Sequence, residues 1–144
     1  MPLADNVQAL AEITEPDSAP PAKGLRVLCI DNEDSILVGM DSLLSRWGMQ
    51  VWTARNQLEC EHLLDEGVNP QLVLVDYHLD EGETGTGLMS WLRQRLGDQL
   101  PGVVISADAR TELIAQVQAA GLDYLAKPVK PAALRALLNR YPAD

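Results

Sequence analysis

The sequence predicts an α/β protein in which five parallel strands form a doubly wound sheet with helices on both faces. Five short apolar runs, each of strand length, alternate with five segments whose apolar residues recur at three- and four-residue intervals. Residues 72–75 are apolar without interruption, as strands are when a parallel sheet buries both of their faces. Alternation of strands and helices in this order is typical of a doubly wound sheet.

The first strand, the first helix and the second strand are predicted between residues 25 and 54. Residues 25–30 form an apolar run rich in branched side chains. The residues that follow at helical spacing, as one inward helix face, are Ile36, Leu37, Met40, Leu44 and Trp47. Gly48 then stands where a helix end often needs a left-handed residue, and residues 51–54 form the second strand.

The second helix has a start signal and a stop signal. Asn56 with Glu59 three residues later resembles a capping box, which predicts a helix through Asp65. Gly67 ends that helix, and residues 72–75 form the third strand.

The second half of the domain continues the alternation. A glycine-rich loop with Gly82, Gly85 and Gly87 leads into a helix marked by Leu88, Trp91, Leu92 and Leu96. Residues 103–105 form the fourth strand, and the next helix is marked by Leu113, Ile114, Val117 and Ala120. Residues 122–126 form the fifth strand. Pro131 suits the first turn of the last helix, whose inward residues are Leu134, Leu137 and Leu138.

Residues 1–24 differ from the rest and are predicted to be a linker or leader, followed by the domain at 25–140 and a tail at 141–144. The segment holds four prolines and no strong apolar period after Leu10, although a short helix at residues 7–13 is compatible with it. Its charged residues are the four acids Asp5, Glu12, Glu15 and Asp17 and the base Lys23, which sum to −3. The remaining −7 of the formal net charge of −10 therefore belongs to residues 25–144.

Composition excludes several classes of protein. The 144 residues suffice for one domain, and a net charge of −10 disfavours direct binding to nucleic acid. No run approaches the ~18 apolar residues of a membrane span, and the start does not resemble a signal peptide, so we expect a soluble, cytoplasmic protein without direct membrane contact. The two cysteines, Cys29 and Cys60, are too few for a disulfide scaffold or a four-thiolate zinc site.

Polar residues stand at the carboxyl ends of four predicted strands, where such sheets bind their ligands. They are Asp31 and its neighbour Asn32, then Asp76, Ser106 and Lys127. Carboxylate oxygens suit Mg²⁺, and a hydroxyl and an ammonium can each bond a phosphoryl oxygen. A single acid there is more often a turn former or a helix cap, and Lys127 can belong to a solvated edge ending at Lys130. All four strand ends together favour a functional site.

Four segments resemble the receiver domain of two-component response regulators over residues 25–140. They are VLCIDNE at 27–33, LVLVD at 72–76, VISA at 104–107 and YLAKP at 124–128. The resemblance implies a flavodoxin-like fold of five βα units with strand order 2-1-3-4-5. The sequences at 75–80 and 127–131 look like C-terminal receivers of hybrid sensor histidine kinases, and residues 1–4 resemble the closing strand of a kinase ATP-binding domain.

The resemblance also implies a role for each site residue. Asp76 would accept a phosphoryl group from phosphohistidine, and Lys127 would pair with that group. Mg²⁺ or Mn²⁺ would be held by Asp31, Asp76 and the main-chain oxygen of His78. The hydroxyl of Ser106 and the ring of Tyr124 would form the switch, and the Lys127–Pro128 peptide would be cis. The implied partners are a histidine kinase or a histidine phosphotransfer domain, with a homodimer through helix 4, strand 5 and helix 5.

Three departures from the family pattern leave alternatives open. Asn32 replaces the second acid usually found after the first strand, which predicts weaker metal binding through an amide oxygen. Glu33 either reaches the metal site or interacts with the dipole of the first helix. The loop after Asp76 carries the acids Asp80, Glu81 and Glu83, which either tune metal access or are simply solvated.

Three alternatives to a phosphoaccepting receiver from a hybrid kinase remain, of which the first differs in origin and the other two in functional class. One is a stand-alone single-domain response regulator, because no output domain follows residue 140 in this sequence. Another is a pseudo-receiver that acts by protein–protein interaction alone, which Asn32 would favour. The last is a phosphohydrolase with an aspartate nucleophile, but that family needs an acid where this chain has His78. The domain itself would be a phosphoacceptor rather than a turnover enzyme.

Overall fold

A computed structural model describes residues 24–141 and contains a five-stranded parallel sheet. The strands are β1 (Arg26–Ile30), β2 (Gln50–Ala54), β3 (Leu72–Asp76), β4 (Gly102–Ser106) and β5 (Asp123–Ala126). The sheet order is β2-β1-β3-β4-β5, so the predicted fold class and strand order are confirmed. Residues 7–13, where the sequence is compatible with a short helix, lie outside the described residues, as do the leader before Gly24 and the tail after Tyr141.

Within residues 24–141, five helices connect and follow the strands. They are α1 (Asp34–Arg46), α2 (Gln57–Asp65), α3 (Gly85–Leu96), α4 (Thr111–Ala119) and α5 (Pro131–Leu138). A single 3-10 turn, Asp80–Gly82, lies between β3 and α3. None of the helices in the described part of the chain is long and apolar enough to cross a membrane.

The predicted helix ends follow from local chemistry. The Asn56 side chain accepts a hydrogen bond from the Glu59 amide at 2.9 Å, which caps α2. The Glu59 carboxylate accepts from the amide of Arg55 at 2.8 Å instead of that of Asn56, so only one half of the capping box forms. Gly48 and Gly67 have φ values of 90° and 97°, the left-handed conformation predicted after α1 and α2.

The core has two layers, one on each face of the sheet. Alternate residues of β3 point to opposite faces: Leu72 and Leu74 pack with α1 and α5, whereas Val73 and Val75 pack with α2, α3 and α4. All five residues of β3 are buried, as its uninterrupted apolar run predicts for the central strand.

The predicted inward face of α1 is wrong at one position. Leu37, Met40 and Leu44 are buried, and Trp47 packs against the same cluster, but Ile36 is 38% exposed. Neighbouring helix positions differ by about 100° around the axis, so a helix that buries the Leu37 stripe turns Ile36 to the edge of the contact.

The guanidinium of Arg93 connects α3 to the end of α4. Its nitrogens donate to the main-chain oxygens of Leu100 at 2.9 Å, Ala120 at 2.7 Å and Gly121 at 3.3 Å. These carbonyls lie in two different loops, so Arg93 fixes the position of the α4–β5 connection against α3.

Candidate functional site

The polar residues predicted at the strand ends lie along one edge of the sheet. Because β1, β3, β4 and β5 are parallel neighbours, their carboxyl ends meet there. Asp31 follows β1, Asp76 and Ser106 close β3 and β4, and Lys127 follows β5. The Lys127 amide donates to the Ser106 carbonyl at 3.0 Å, which ties the last two strand ends together. The Lys127–Pro128 peptide bond is cis.

Asp31, Asp76 and Lys127 form one ionic cluster, in which the two acids are buried and the lysine is partly exposed. The Lys127 Nζ atom lies 3.0 Å from Asp76 Oδ1 and 3.5 Å from Asp31 Oδ2. The two acids are only 5% and 6% exposed, so water solvates their carboxylates poorly. One ammonium between two carboxylates leaves a net negative charge that a further cation can balance.

The surroundings shift the pKa values of two members of this cluster. Burial raises the pKa of Asp76 above its usual value and the charge of Asp31 adds to the rise, while the hydrogen bond from Lys127 opposes it. Burial alone would lower the pKa of Lys127, but its contacts with Asp76 and Asp31 raise it overall. Lys127 therefore keeps its proton, and its positive charge, at neutral pH.

Ser106 and Tyr124 are joined through the loop between β4 and α4. Ser106 is 1% exposed, and its Oγ atom accepts a hydrogen bond from the Asp108 amide at 2.9 Å. The Tyr124 hydroxyl donates to the Asp108 carbonyl at 2.7 Å and to the Ser106 carbonyl at 3.1 Å. The carboxylate of Asp108 pairs with the Arg110 guanidinium at 2.8 Å. A displacement of Ser106 would therefore disturb the bonds of Tyr124.

The remaining predicted ligands lie at the rim. The Asn32 amide nitrogen donates to Asp80 Oδ1 at 2.9 Å. Glu33 is exposed at the N-cap position of α1, and its side chain makes no capping hydrogen bond. His78 is also exposed; its backbone pairs with Thr84, and its ring is 4.8 Å from that of Tyr77.

Two residues near the site make specific contacts that the sequence did not predict. Asp80 was placed with the loop acids, and only the contact with Asn32 connects it to the site. Gly85 was one of several loop glycines, yet a Cβ there would lie 2.5 Å from the carbonyl oxygen of Asp76. The Gly85 amide also donates to the Tyr77 carbonyl at 2.8 Å, so α3 begins directly against the end of β3. The glycine content of this loop was the available sequence signal, but it did not identify position 85 as the glycine that contacts the end of β3.

The donor atoms fit a hard divalent cation held with part of its water shell. Within residues 24–141, no three side chains of His, Cys, Asp or Glu are gathered as a metal-binding group. The carboxylate pair Asp31 and Asp76 supplies only oxygen ligands. Mg²⁺ is commonly bound by one or two carboxylates and several waters, so this pair suits Mg²⁺ better than zinc.

The sequence and the fold are similar to those of known receiver proteins. A curated relative, the sensor histidine kinase GacS of Pseudomonas protegens, is 28% identical over 137 residues. That match covers 88% of this chain but only 14% of the kinase. Among solved structures, a response regulator receiver protein of Pseudomonas putida is 26% identical with a TM-score of 0.72, covering 83% of this chain and 98% of the other.

Two further structures agree in fold. The receiver domain of the Francisella response regulator 1452 has a TM-score of 0.72 at 23% identity, with 82% of this chain and 96% of the other covered. The chemotaxis response regulator CheY4 of Vibrio cholerae has a TM-score of 0.72 at 22% identity, with 83% and 99% covered. The family model described as the response regulator receiver domain matches residues 27–139. On this match and this fold, the chain belongs to the response regulator receiver family of two-component signalling.

Proposed function

We propose that this receiver domain accepts a phosphoryl group on Asp76 from a phosphohistidine of a histidine kinase or a histidine phosphotransfer domain. The observation that carries the proposal is the contact of 3.0 Å between the Lys127 ammonium and the buried Asp76 carboxylate, with Asp31 beside them. A carboxylate at a strand end with a fixed ammonium next to it has both a nucleophilic oxygen and a partner for the incoming negative charge.

The transfer is a displacement at phosphorus. A carboxylate oxygen of Asp76 forms the new O–P bond while the N–P bond of phosphohistidine breaks, and its electron pair stays on the imidazole nitrogen. That nitrogen takes up a proton from solvent, and the product on the receiver is an acyl phosphate. Lys127, now released from part of its contact with Asp76, pairs with a phosphoryl oxygen.

We assign four groups to holding a divalent cation, Mg²⁺ or Mn²⁺. They are the carboxylates of Asp31 and Asp76, the main-chain oxygen of His78 and the amide oxygen of Asn32. When bound, the cation would neutralise part of the charge on the phosphoryl oxygens. Asp31 would contribute its carboxylate, which is buried directly after β1 and lies 3.5 Å from the Lys127 Nζ atom.

The phosphoryl group would change the partner surface through Ser106. A group with nearly two negative charges beside this hydroxyl attracts it as a hydrogen-bond donor. Its movement would loosen the Asp108 and Tyr124 bonds, which connect the loop before α4 to β5. The surface of α4, β5 and α5 would therefore respond, both as a partner surface and as a homodimer contact.

The resemblance to GacS supports an origin in a hybrid sensor histidine kinase. The aligned segment covers most of this chain at 28% identity. We further infer a cytoplasmic location for the domain, with no direct contact to membrane or nucleic acid, since its phosphodonors act there and its net charge of −10 repels phosphate backbones. A stand-alone regulator remains the alternative context.

The test is incubation with acetyl phosphate and Mg²⁺, followed by intact-mass measurement of the wild type and of Asp76→Asn. We expect the wild type to gain one phosphoryl group, and both the Asp76→Asn variant and a chelator-treated sample to gain none. Equal labelling of the variant would refute Asp76 as the acceptor. A wild type that gains no phosphoryl group would instead identify a pseudo-receiver that works by binding alone.

A further inference from the structure

We propose that Asp80 supplies the second acid of the phosphorylation site from the loop between β3 and α3, acting as a positioning residue through Asn32. The inference rests on the proposed phosphoacceptor function and concerns how this particular chain holds its cation. Asn32 directly follows Asp31 and places a neutral amide there instead of a charged group. Its amide nitrogen donates to the Asp80 carboxylate at 2.9 Å across 48 residues of sequence.

This hydrogen bond determines which end of the amide remains available. A carboxamide has one oxygen that accepts and one nitrogen that donates. A carboxylate accepts only, so Asp80 can bond the nitrogen of Asn32 and not its oxygen. The oxygen is then the end left for a cation or for one of its waters. Asp80 also places a negative charge at this edge of the site, which the neutral Asn32 side chain does not supply.

The Asp80 side chain is carried on a closed turn rather than on an open loop. Asp80 begins the 3-10 turn, and its carbonyl accepts from the Glu83 amide at 3.1 Å. The Leu79 amide donates back to the Glu83 carbonyl at 3.0 Å, and the Leu79 side chain is buried in the core. These bonds fix the backbone on both sides of Asp80.

Glu33, the other candidate for the missing acid, has no such connection. It is exposed at the N-cap position of α1, where its amide donates to Asp31 Oδ1 at 2.9 Å. Its carboxylate makes no capping bond. Of the two acids weighed for this role, only Asp80 has its carboxylate hydrogen-bonded to a residue assigned to the cation.

The first experiment titrates the metal-free protein with Mn²⁺ alone and follows free Mn²⁺ by electron paramagnetic resonance. We expect Asp80→Asn to weaken Mn²⁺ affinity by about tenfold, because a neutral amide at position 80 removes the charge and can bond either end of the Asn32 amide, so it no longer fixes which end faces the cation. The matched control is Glu81→Gln, which removes the same charge from the adjacent residue and should stay within about twofold of the wild type because exposed charges are screened. Equal losses in both variants, or no loss in Asp80→Asn, would overturn the proposal.

The second experiment exchanges the two side chains. The variant Asn32→Asp with Asp80→Asn keeps one acid and one amide across the same contact, and we expect its Mn²⁺ affinity to return to within about threefold of the wild type. An exchange variant as weak as Asp80→Asn would overturn the inference. Urea midpoints of the metal-free variants check that each one folds, and the exchange decides the question if Asp80→Asn alone is unstable.

Phosphorylation separates this inference from the proposed function. Wild-type protein that gains a phosphoryl group on Asp76 at saturating Mg²⁺ supports the function whatever Asp80→Asn does to Mn²⁺ affinity. Wild-type protein that binds no Mn²⁺ overturns the role of Asp80. Failure of the wild type to be phosphorylated, with the Mn²⁺ results as expected, overturns the function alone.

Discussion

Replacement of Gly85 by alanine should destabilise the domain, because α3 begins in direct contact with the end of β3. The new Cβ would lie 2.5 Å from the Asp76 carbonyl oxygen, 3.1 Å from its carbonyl carbon and 3.2 Å from the Tyr77 Cα atom. All three are main-chain atoms, so no side-chain rotation relieves the clash. The helix and the strand must separate by roughly 1 Å to reach ordinary contact distances, and such overpacking costs about 2 kcal/mol of unfolding free energy.

Replacement of Gly39 by alanine should instead stabilise the domain. Gly39 lies in the middle of α1, and a Cβ there meets no atom within 4 Å. Alanine at an unobstructed helix interior position is favoured over glycine by about 1 kcal/mol. Urea unfolding followed by tryptophan fluorescence measures both changes on one scale. A Gly85→Ala variant as stable as the wild type, or a Gly39→Ala variant less stable than it, would refute the steric reasoning.

The Gly85→Ala variant should also lose function beyond its loss of stability. The clash falls on the carbonyl of Asp76 and should therefore displace the main chain of the proposed acceptor. We expect slower labelling by acetyl phosphate at a temperature where the variant is still fully folded. Labelling at the wild-type rate under those conditions would mean that the strand end does not move.

Three further outcomes follow from contacts away from the acceptor. Arg93→Ala should lower the free energy of unfolding by about 2 kcal/mol in urea titrations, because three carbonyls lose a charged donor. Burial, together with nearby acids, raises the pKa of Cys29 and Cys60 to about 12, so neither thiol should react with a disulfide reagent at neutral pH until the protein is denatured. Burial and its bond to Asp123 raise the pKa of Tyr141 from 10.0 to about 12. The folded chain thus keeps a proton that the unfolded chain loses in this range, so stability should fall as pH rises from 10 to 12, and less steeply in Tyr141→Phe.

Local sequence signals were sufficient to predict the fold because each helix and each strand carries a signal of its own. The apolar run at 72–75 is short and bounded, and it became the fully buried strand β3. Asn56 caps α2 through its own neighbours, and Gly48 adopts the left-handed conformation that follows α1. Strand ends of a parallel sheet share an edge, so placing Asp31, Asp76 and Lys127 together required only the strand order.

The features that the sequence did not predict depend on how separate helices, strands and loops pack against each other. The exposure of Ile36 follows from the rotation of α1 on the sheet, which periodicity defines only to within about one residue. The requirement for glycine at position 85 arises from the distance between α3 and β3. The hydrogen bond between Asn32 and Asp80 joins two loops, and the sequence of each loop by itself indicates only a polar connection between elements.

The acids near the site differ in what they do, although the net charge of −10 counts them alike. Asp31 and Asp76 share the Lys127 ammonium in a buried cluster, where charge strongly affects the binding of an ion. Asp34 is close to Asp31 in the sequence, but its carboxylate lies 3.7 Å from the exposed Arg55 guanidinium. An exposed ion pair of this type contributes about 0–1 kcal/mol to stability. Asp80 is exposed but bonded to a residue of the site, so removing its charge should change cation affinity more than stability. We therefore expect contact with a residue assigned to the cation, and not proximity in sequence, to decide which of these carboxylates affects cation binding.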